Sequence, residues 1–141
     1  MRRGPTALSV RRRAREAVLR SLYRHEYLPA LPDDPLNEAL DEEEQAFARL
    51  LVAGVHDHKE EIDRIIDRRA LGWGVDRLPV VDRNILRLAL YELLYTATPP
   101  EAVINEAVEL AKAYGTEQAP AVINGILDRV WKGRDTDGSL G

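Results

Sequence analysis

Apolar residues recur every three or four positions along most of this 141-residue chain, which is the spacing that predicts amphipathic helices. The first apolar stripe runs from Val10 to Leu22, and Ser9 is the expected N-cap of its helix. Pro29 is expected to end this helix, because proline removes a backbone donor and clashes with the preceding turn.

A second stretch of helical periodicity extends from Leu36 to about Ala70, with a break expected near residues 36–41. One face of the long helix is predicted to carry Phe47, Leu50, Leu51, Val55, His58, Ile62, Ile65 and Ile66. The sequence LGWGVDRLP, residues 71–79, then interrupts the pattern and marks the clearest internal boundary. Trp73 is interpreted as an anchor that seals this junction.

Three more helices are predicted beyond the boundary. Pro79 suits the first turn of a helix that reaches about Tyr95, and Pro100 suits the first turn of the next helix. Gly115 is expected to end that helix in the left-handed conformation, and Thr116 to cap the last helix.

The pattern predicts an all-α fold, since it contains no long alternating strand pattern and no internal repeat. We expect a single domain made of two small helical bundles, residues 9–70 and 75–132, that share a core. Residues 133–141 are expected to form a flexible tail.

The composition excludes several classes of protein. The chain is 45% hydrophobic and 31% charged, and it has no apolar run long enough to span a bilayer and no secretory signal pattern. The absence of cysteine excludes disulfides, thiolate nucleophiles and cysteine zinc sites. These features agree with a protein of the reducing cytoplasm.

Charge is strongly polarised along the sequence. Residues 1–24 carry eight arginines against one acid, Glu16, whereas residues 26–44 carry eight acids and no base. Arg11, Arg12, Arg13 and Arg15 fall in the first turns of a helix, where the macrodipole disfavours cations. Helix stability therefore does not explain the cluster.

Two interpretations of the arginines stay open at this point. They are either a solvated face balanced by the acidic segment, or a phosphate-binding patch that projects past the end of the bundle. The role of Tyr114 also has two interpretations, because its ring is either a platform for an unstacked base or a core aromatic.

No other motif in the sequence strongly indicates a metal site or a catalytic residue. The side chains of His56 and His58 in the HDH sequence point apart on a helix, and no third metal ligand is near in sequence. None of the three serines lies beside a base, and GWG lacks the strand and lysine of a phosphate loop. We therefore predict no catalytic residue, no metal and no cofactor.

Three segments, in order, resemble the NusB family of bacterial transcription antitermination factors. They are RRRAREAVLRSLY (11–23), VDRLPVVDRNILRLALYELLY (75–95), and INEAVELAKAYG (104–115) followed by VINGILDRV (122–130). The resemblance implies an all-α, non-enzymatic protein that binds boxA-type single-stranded RNA together with NusE, a small-subunit ribosomal protein. It also implies a place in the antitermination complex on RNA polymerase, which supports transcription of ribosomal RNA operons.

The resemblance assigns residues to two surfaces. Carried over by position, the RNA surface comprises Arg11, Arg12, Arg13, Arg15, Tyr114 and Gln118, and the NusE surface comprises Asp76, Arg77, Asp82 and Arg83. The chain departs from the family at Val122, where some members have a base-contacting aromatic, and at Ala121, a basic position in the family. From the residues alone, Asp82 and its neighbours also suit helix capping and surface pairing.

Two other functions stay open. One is a protein-interaction bundle whose arginines contact an acidic partner. The other is an accessory domain related to those that precede RNA methyltransferase domains. No membrane partner is expected, and the isolated protein is expected to be a monomer or a homodimer.

Overall fold

The structure, a computed structural model, describes residues 7–28, 40–70 and 74–137. These residues form six helices and no strand, which confirms the all-α prediction. The helices are α1 (Ala7–Tyr27), α2 (Glu42–Asp57), α3 (Lys59–Arg69), α4 (Val80–Tyr95), α5 (Pro100–Tyr114) and α6 (Ala119–Asp137), with a short 3₁₀ turn at Val75–Arg77. The expectations for Trp73 and for the segment after Pro29 lie outside the described residues.

Helix α4 lies at the centre of the protein. Every residue from Asn84 to Leu90 is buried, so this helix has no solvent-facing stripe over two turns. It packs against each of the other five helices. The division into bundles 9–70 and 75–132 stays a prediction, and the observed packing places α4 in contact with helices from both halves.

The long helix predicted before the boundary is two helices, α2 and α3, that meet at His58. No aliphatic residue lies between Val55 and Ile62, so no aliphatic side chain in that stretch anchors a straight continuation to the core. A capping box between Asp41 and Glu44 starts α2. Leu50, expected on the core face, is 51% exposed, because its neighbour Leu51 takes the core position.

Several helix ends also differ from expectation. Helix α1 begins at Ala7, so Ser9 lies inside it, and α6 continues through Asp137 into the expected tail. Gly115 follows α5 with φ −85° and ψ −178°, which is extended backbone and not the left-handed conformation. Glycine is required there by close approach, since a Cβ would lie 2.8 Å from the Ala119 Cβ.

The expected cap at Thr116 is also wrong. Its hydroxyl donates to the Asp82 carboxylate at 2.7 Å, and its backbone N–H donates to the same carboxylate at 3.2 Å. The turn after α5 is thereby tied to the first turn of α4.

A partly buried ion-pair cluster ties the end of α1 to α3 and α4. Glu26 accepts hydrogen bonds from Arg83, Asn84 and Arg87, and Arg87 also donates to Asp63 at 2.8 and 3.1 Å. Burial opposes ionisation of Glu26, but the hydrogen bonds from Arg83 and Asn84 outweigh it, so its pKa is lowered.

Candidate nucleic-acid interface

The arginines at the start of α1 diverge in three directions and do not form one patch. Arg15 turns into the core, where its Nε and Nη2 donate to the Glu92 carboxylate at 2.5 and 2.7 Å. Arg15 and Glu92 are only 3% and 2% exposed. The expectation that Arg15 projects past the end of the bundle is therefore wrong, because its charge is already paired and enclosed.

Arg12 points towards α5. Its Nε and Nη2 donate to the Glu106 carboxylate at 3.0 and 2.8 Å, yet 46% of its side chain stays exposed. The hydrogen bond to Glu106 and the charge of that carboxylate raise the pKa of Arg12. The guanidinium is thus held in place at the surface, with donors directed away from Glu106 left open to solvent.

Arg11 and Arg13 point towards α2. The Arg11 guanidinium lies 4.7 Å from the centre of the Phe47 ring, and Arg13 Nε lies 3.2 Å from the buried Glu44 carboxylate. Arg13 nevertheless keeps 53% of its side chain in solvent. Partners on α2 and α5 therefore offset the unfavourable helix dipole while three of the four guanidinium groups remain accessible.

A groove runs between α1 and α5, with its first part bounded by α6. Three adjoining depressions of about 570, 180 and 270 Å³ share lining residues: Arg12, Glu106 and Glu109 line the first two, and Glu16 the second and third. The groove therefore leads from Arg12 past Glu16 to Tyr114.

The far end of the groove is apolar and aromatic. Tyr114 and Tyr23 line it with Leu19 and Val81, and Arg20 stands at its edge. Tyr114 is 45% exposed, and its hydroxyl donates to Glu16 at 2.9 Å, which raises the pKa of Tyr114. Its exposed ring at the end of α5 agrees with the base-platform interpretation rather than with a core aromatic.

The other positions carried over to the RNA surface lie around this groove. Ala121 lines its first depression, whereas Gln118, just before α6, and Val122, in the first turn of α6, are exposed without lining any of the three. The departures at Ala121 and Val122 thus leave small aliphatic surface beside the groove.

The four residues carried over to the partner surface fall into two pairs. Asp76 and Arg77 are exposed on the 3₁₀ turn. Asp82 is buried against Thr116, and Arg83 is paired with Glu26 and donates to the Leu78 carbonyl oxygen at 3.3 Å. Arg83 thus forms an ion pair, whereas Asp82 lies in the first turn of α4 but caps none of the described helices, since it accepts from Thr116.

The histidines of the HDH sequence point apart, as expected. His56 contacts His25 of α1, with ring centres 4.8 Å apart, and His58 stacks on Tyr95 of α4 at 4.0 Å. Within residues 7–28, 40–70 and 74–137, no group of three or more potential ligands could hold a metal ion. None of the helices in these ranges combines the length and the hydropathy that a membrane span requires.

Sequence reasoning missed the carboxylates that hold the arginines. Glu44, Glu92 and Glu106 lie on three different helices, and the last two are separated from their arginines by 77 and 94 positions. Tyr23 was also missed, although a helical projection places it on the α1 face of Arg12 and Glu16.

Comparison with known proteins agrees with the resemblance seen in the sequence. The sequence pattern of the NusB family matches residues 12–132. The transcription antitermination protein NusB of Myxococcus xanthus is 42% identical over 133 residues, covering 87% of this chain and 95% of that protein. The structure is similar to that of NusB from T. maritima, with a TM-score of 0.79, 40% identity and 93% of each chain covered.

A structure of the antitermination factors NusB and NusE in complex with double-stranded RNA is also similar. Its TM-score is 0.76 at 30% identity, and the match covers 88% of this chain and 97% of that chain. The match of the family pattern to most of the chain, together with these relatives, identifies the chain as a member of the NusB family.

Proposed function

We propose that this protein is a non-enzymatic transcription antitermination factor that binds boxA-type RNA together with NusE. In this role it would join the antitermination complex on RNA polymerase, and it would act in the cytoplasm, where transcripts are made. The names of its relatives support this proposal, and so does the complex of NusB, NusE and RNA to which its structure is similar.

The observation that carries the RNA-binding part is the exposure of two paired arginines, Arg12 beside the groove and Arg13 on the side of α1 that faces α2. Arg12 and Arg13 keep about half of their side chains in solvent while carboxylates fix their positions. A fixed guanidinium loses little side-chain freedom when it binds a phosphate, and its planar fork matches two phosphate oxygens. Tyr114 then offers a ring for a base at the far end of the groove.

The NusE surface is proposed to centre on the exposed pair Asp76 and Arg77. Asp82 and Arg83 would support it from beneath, because they hold the first turn of α4 against Thr116 and Glu26. Substitution of Asp76 or Arg77 should therefore weaken NusE binding without lowering the free energy of unfolding.

The test of RNA binding is a salt titration with the variant Arg12→Ala plus Arg13→Ala. We expect at least about tenfold weaker binding to a boxA-type single strand, since each charge-assisted hydrogen bond contributes about 1.5 kcal/mol or more. The slope of log K against log[salt] should flatten by about 0.7 for each phosphate that the variant no longer neutralises. Filter binding with and without NusE measures both quantities.

The matched control is Arg64→Ala plus Arg68→Ala, which removes the same charge from exposed positions of α3. It should leave the slope close to that of the wild type. Equal effects of the two double variants would mean that only net charge matters, and unchanged binding by the Arg12 and Arg13 variant would refute the proposal. Duplex RNA of the same sequence, measured in parallel, distinguishes the single-stranded target from a double-stranded one.

A further inference from the structure

The depression with the largest volume in this groove, about 570 Å³, lies where α5 and α6 meet beside Arg12. Two exposed amides, Asn105 on α5 and Asn124 on α6, face it from different helices. Neither amide forms a hydrogen bond with any of the residues that the structure describes. Each therefore presents a free carbonyl oxygen and a free NH₂ group to whatever enters.

The charges around this depression are already paired. Arg12 binds Glu106 at 2.8 Å, and Lys112 binds Glu109 at 3.2 Å, so the four charged side chains contribute no net charge. A phosphate placed at the centre of the depression would gain little and would meet two carboxylates. A neutral group with hydrogen-bonding edges is the better match.

The walls of the depression suit a flat ring. Val108, Pro120 and Ala121 line it with small or rigid apolar surface. The volume is sufficient for one heteroaromatic base with room for water. Apolar contact on the faces and amides at the edge are the means by which proteins read a base that has left its stack.

We propose that this depression holds one unstacked base of the bound RNA, and that Asn105 and Asn124 read its edge. The inference rests on the proposed RNA-binding function, and it adds the residues that distinguish one base from another. The exposed outer part of Arg12 would hold a neighbouring phosphate, so backbone binding and base reading use different side chains.

The experiment compares the full-length wild type with Asn105→Ala plus Asn124→Ala on a set of single-stranded RNA oligonucleotides. In this set each position in turn carries each of the other three bases or no base. We expect the wild type to bind about tenfold more tightly when one particular base stands at one position. About tenfold lies in the lower part of the range for an amide that makes two hydrogen bonds to a base. The double variant should lose this preference at that position alone, with its salt slope unchanged.

The variant Arg12→Ala plus Arg13→Ala provides the contrast, because it should weaken binding to every oligonucleotide and flatten the slope. Urea unfolding of both variants checks folding, and the exposed asparagines should leave the midpoint unchanged. The inference is overturned if the asparagine variant keeps every base preference, or if it weakens all oligonucleotides equally. Failure of the wild type to bind any RNA would instead overturn the proposed function, and this inference with it.

Discussion

Replacing Arg15 by methionine should destabilise the protein strongly, because the Glu92 carboxylate would stay buried without its cation. Among the described residues, the guanidinium makes both of the hydrogen bonds that this carboxylate accepts, at 2.5 and 2.7 Å. Removing one partner of a buried pair costs about 3–5 kcal/mol. That is a large share of the roughly 5–15 kcal/mol by which small domains are stable. Urea unfolding should show a lower midpoint with an unchanged slope.

The double variant Arg15→Met plus Glu92→Leu should recover most of the lost stability. Both charges are then absent, and apolar side chains of similar volume fill a site that is already enclosed. Such replacements are often neutral, so we expect a free energy of unfolding within about 2 kcal/mol of the wild type. The Nη1 atom of Arg15 is buried without a hydrogen-bond partner among the described residues, which further favours apolar replacement.

The same double variant tests whether Arg15 contacts RNA. Because the guanidinium is enclosed, the variant should bind RNA with the affinity and salt slope of the wild type. A stable double variant with weaker binding and a flatter slope would refute the assignment of Arg15 to the core, since Arg15 would then have to leave Glu92 to meet a phosphate. A double variant less stable than either single variant would refute the idea that an unpaired buried charge causes the destabilisation.

Two further predictions concern packing and pH. Gly54→Ala should lower the free energy of unfolding by about 1–3 kcal/mol, because a Cβ would lie 2.0 Å from the Tyr91 ring. Its control, Gly125→Ala, has only an Arg129 guanidinium at 3.4 Å and should stabilise α6 by about 0.5–1 kcal/mol. The pKa of Glu26 is lower when folded than its ordinary 4.5, so its stabilising effect is complete above that pH and is lost as pH falls through the folded value. Glu26→Gln should therefore reduce stability at pH 7 and flatten the decline of the urea midpoint below about pH 5, and an unchanged acid profile would contradict this.

The helical fold could be predicted because the spacing of apolar residues, every three or four positions, is visible within each segment of the sequence. The starts of α4 and α5 could be predicted from Pro79 and Pro100. The fixed φ angle of proline suits the start of a helix, and this preference does not depend on tertiary packing. The break at His58 could not be predicted as easily, since both α2 and α3 have good helical periodicity and only the polar stretch between them differs.

The candidate site was harder to predict because its geometry depends on distant partners. The sequence shows four arginines within five positions, but nothing local tells which one meets a buried carboxylate. Arg15 is structural because Glu92 lies on the central helix, whereas Arg12 stays partly exposed because Glu106 lies near the groove. The role of Gly115 was likewise hidden, since the close approach of Ala119 belongs to the tertiary structure.

The central position of α4 limits how the chain can be divided. Helices α1, α2 and α3 precede it in sequence but pack against it, so we expect that neither half closes a core alone. Peptides 1–73 and 74–141, made separately, would each expose the surface that the other covers. Mixed together, they should associate and regain cooperative melting, which neither shows by itself.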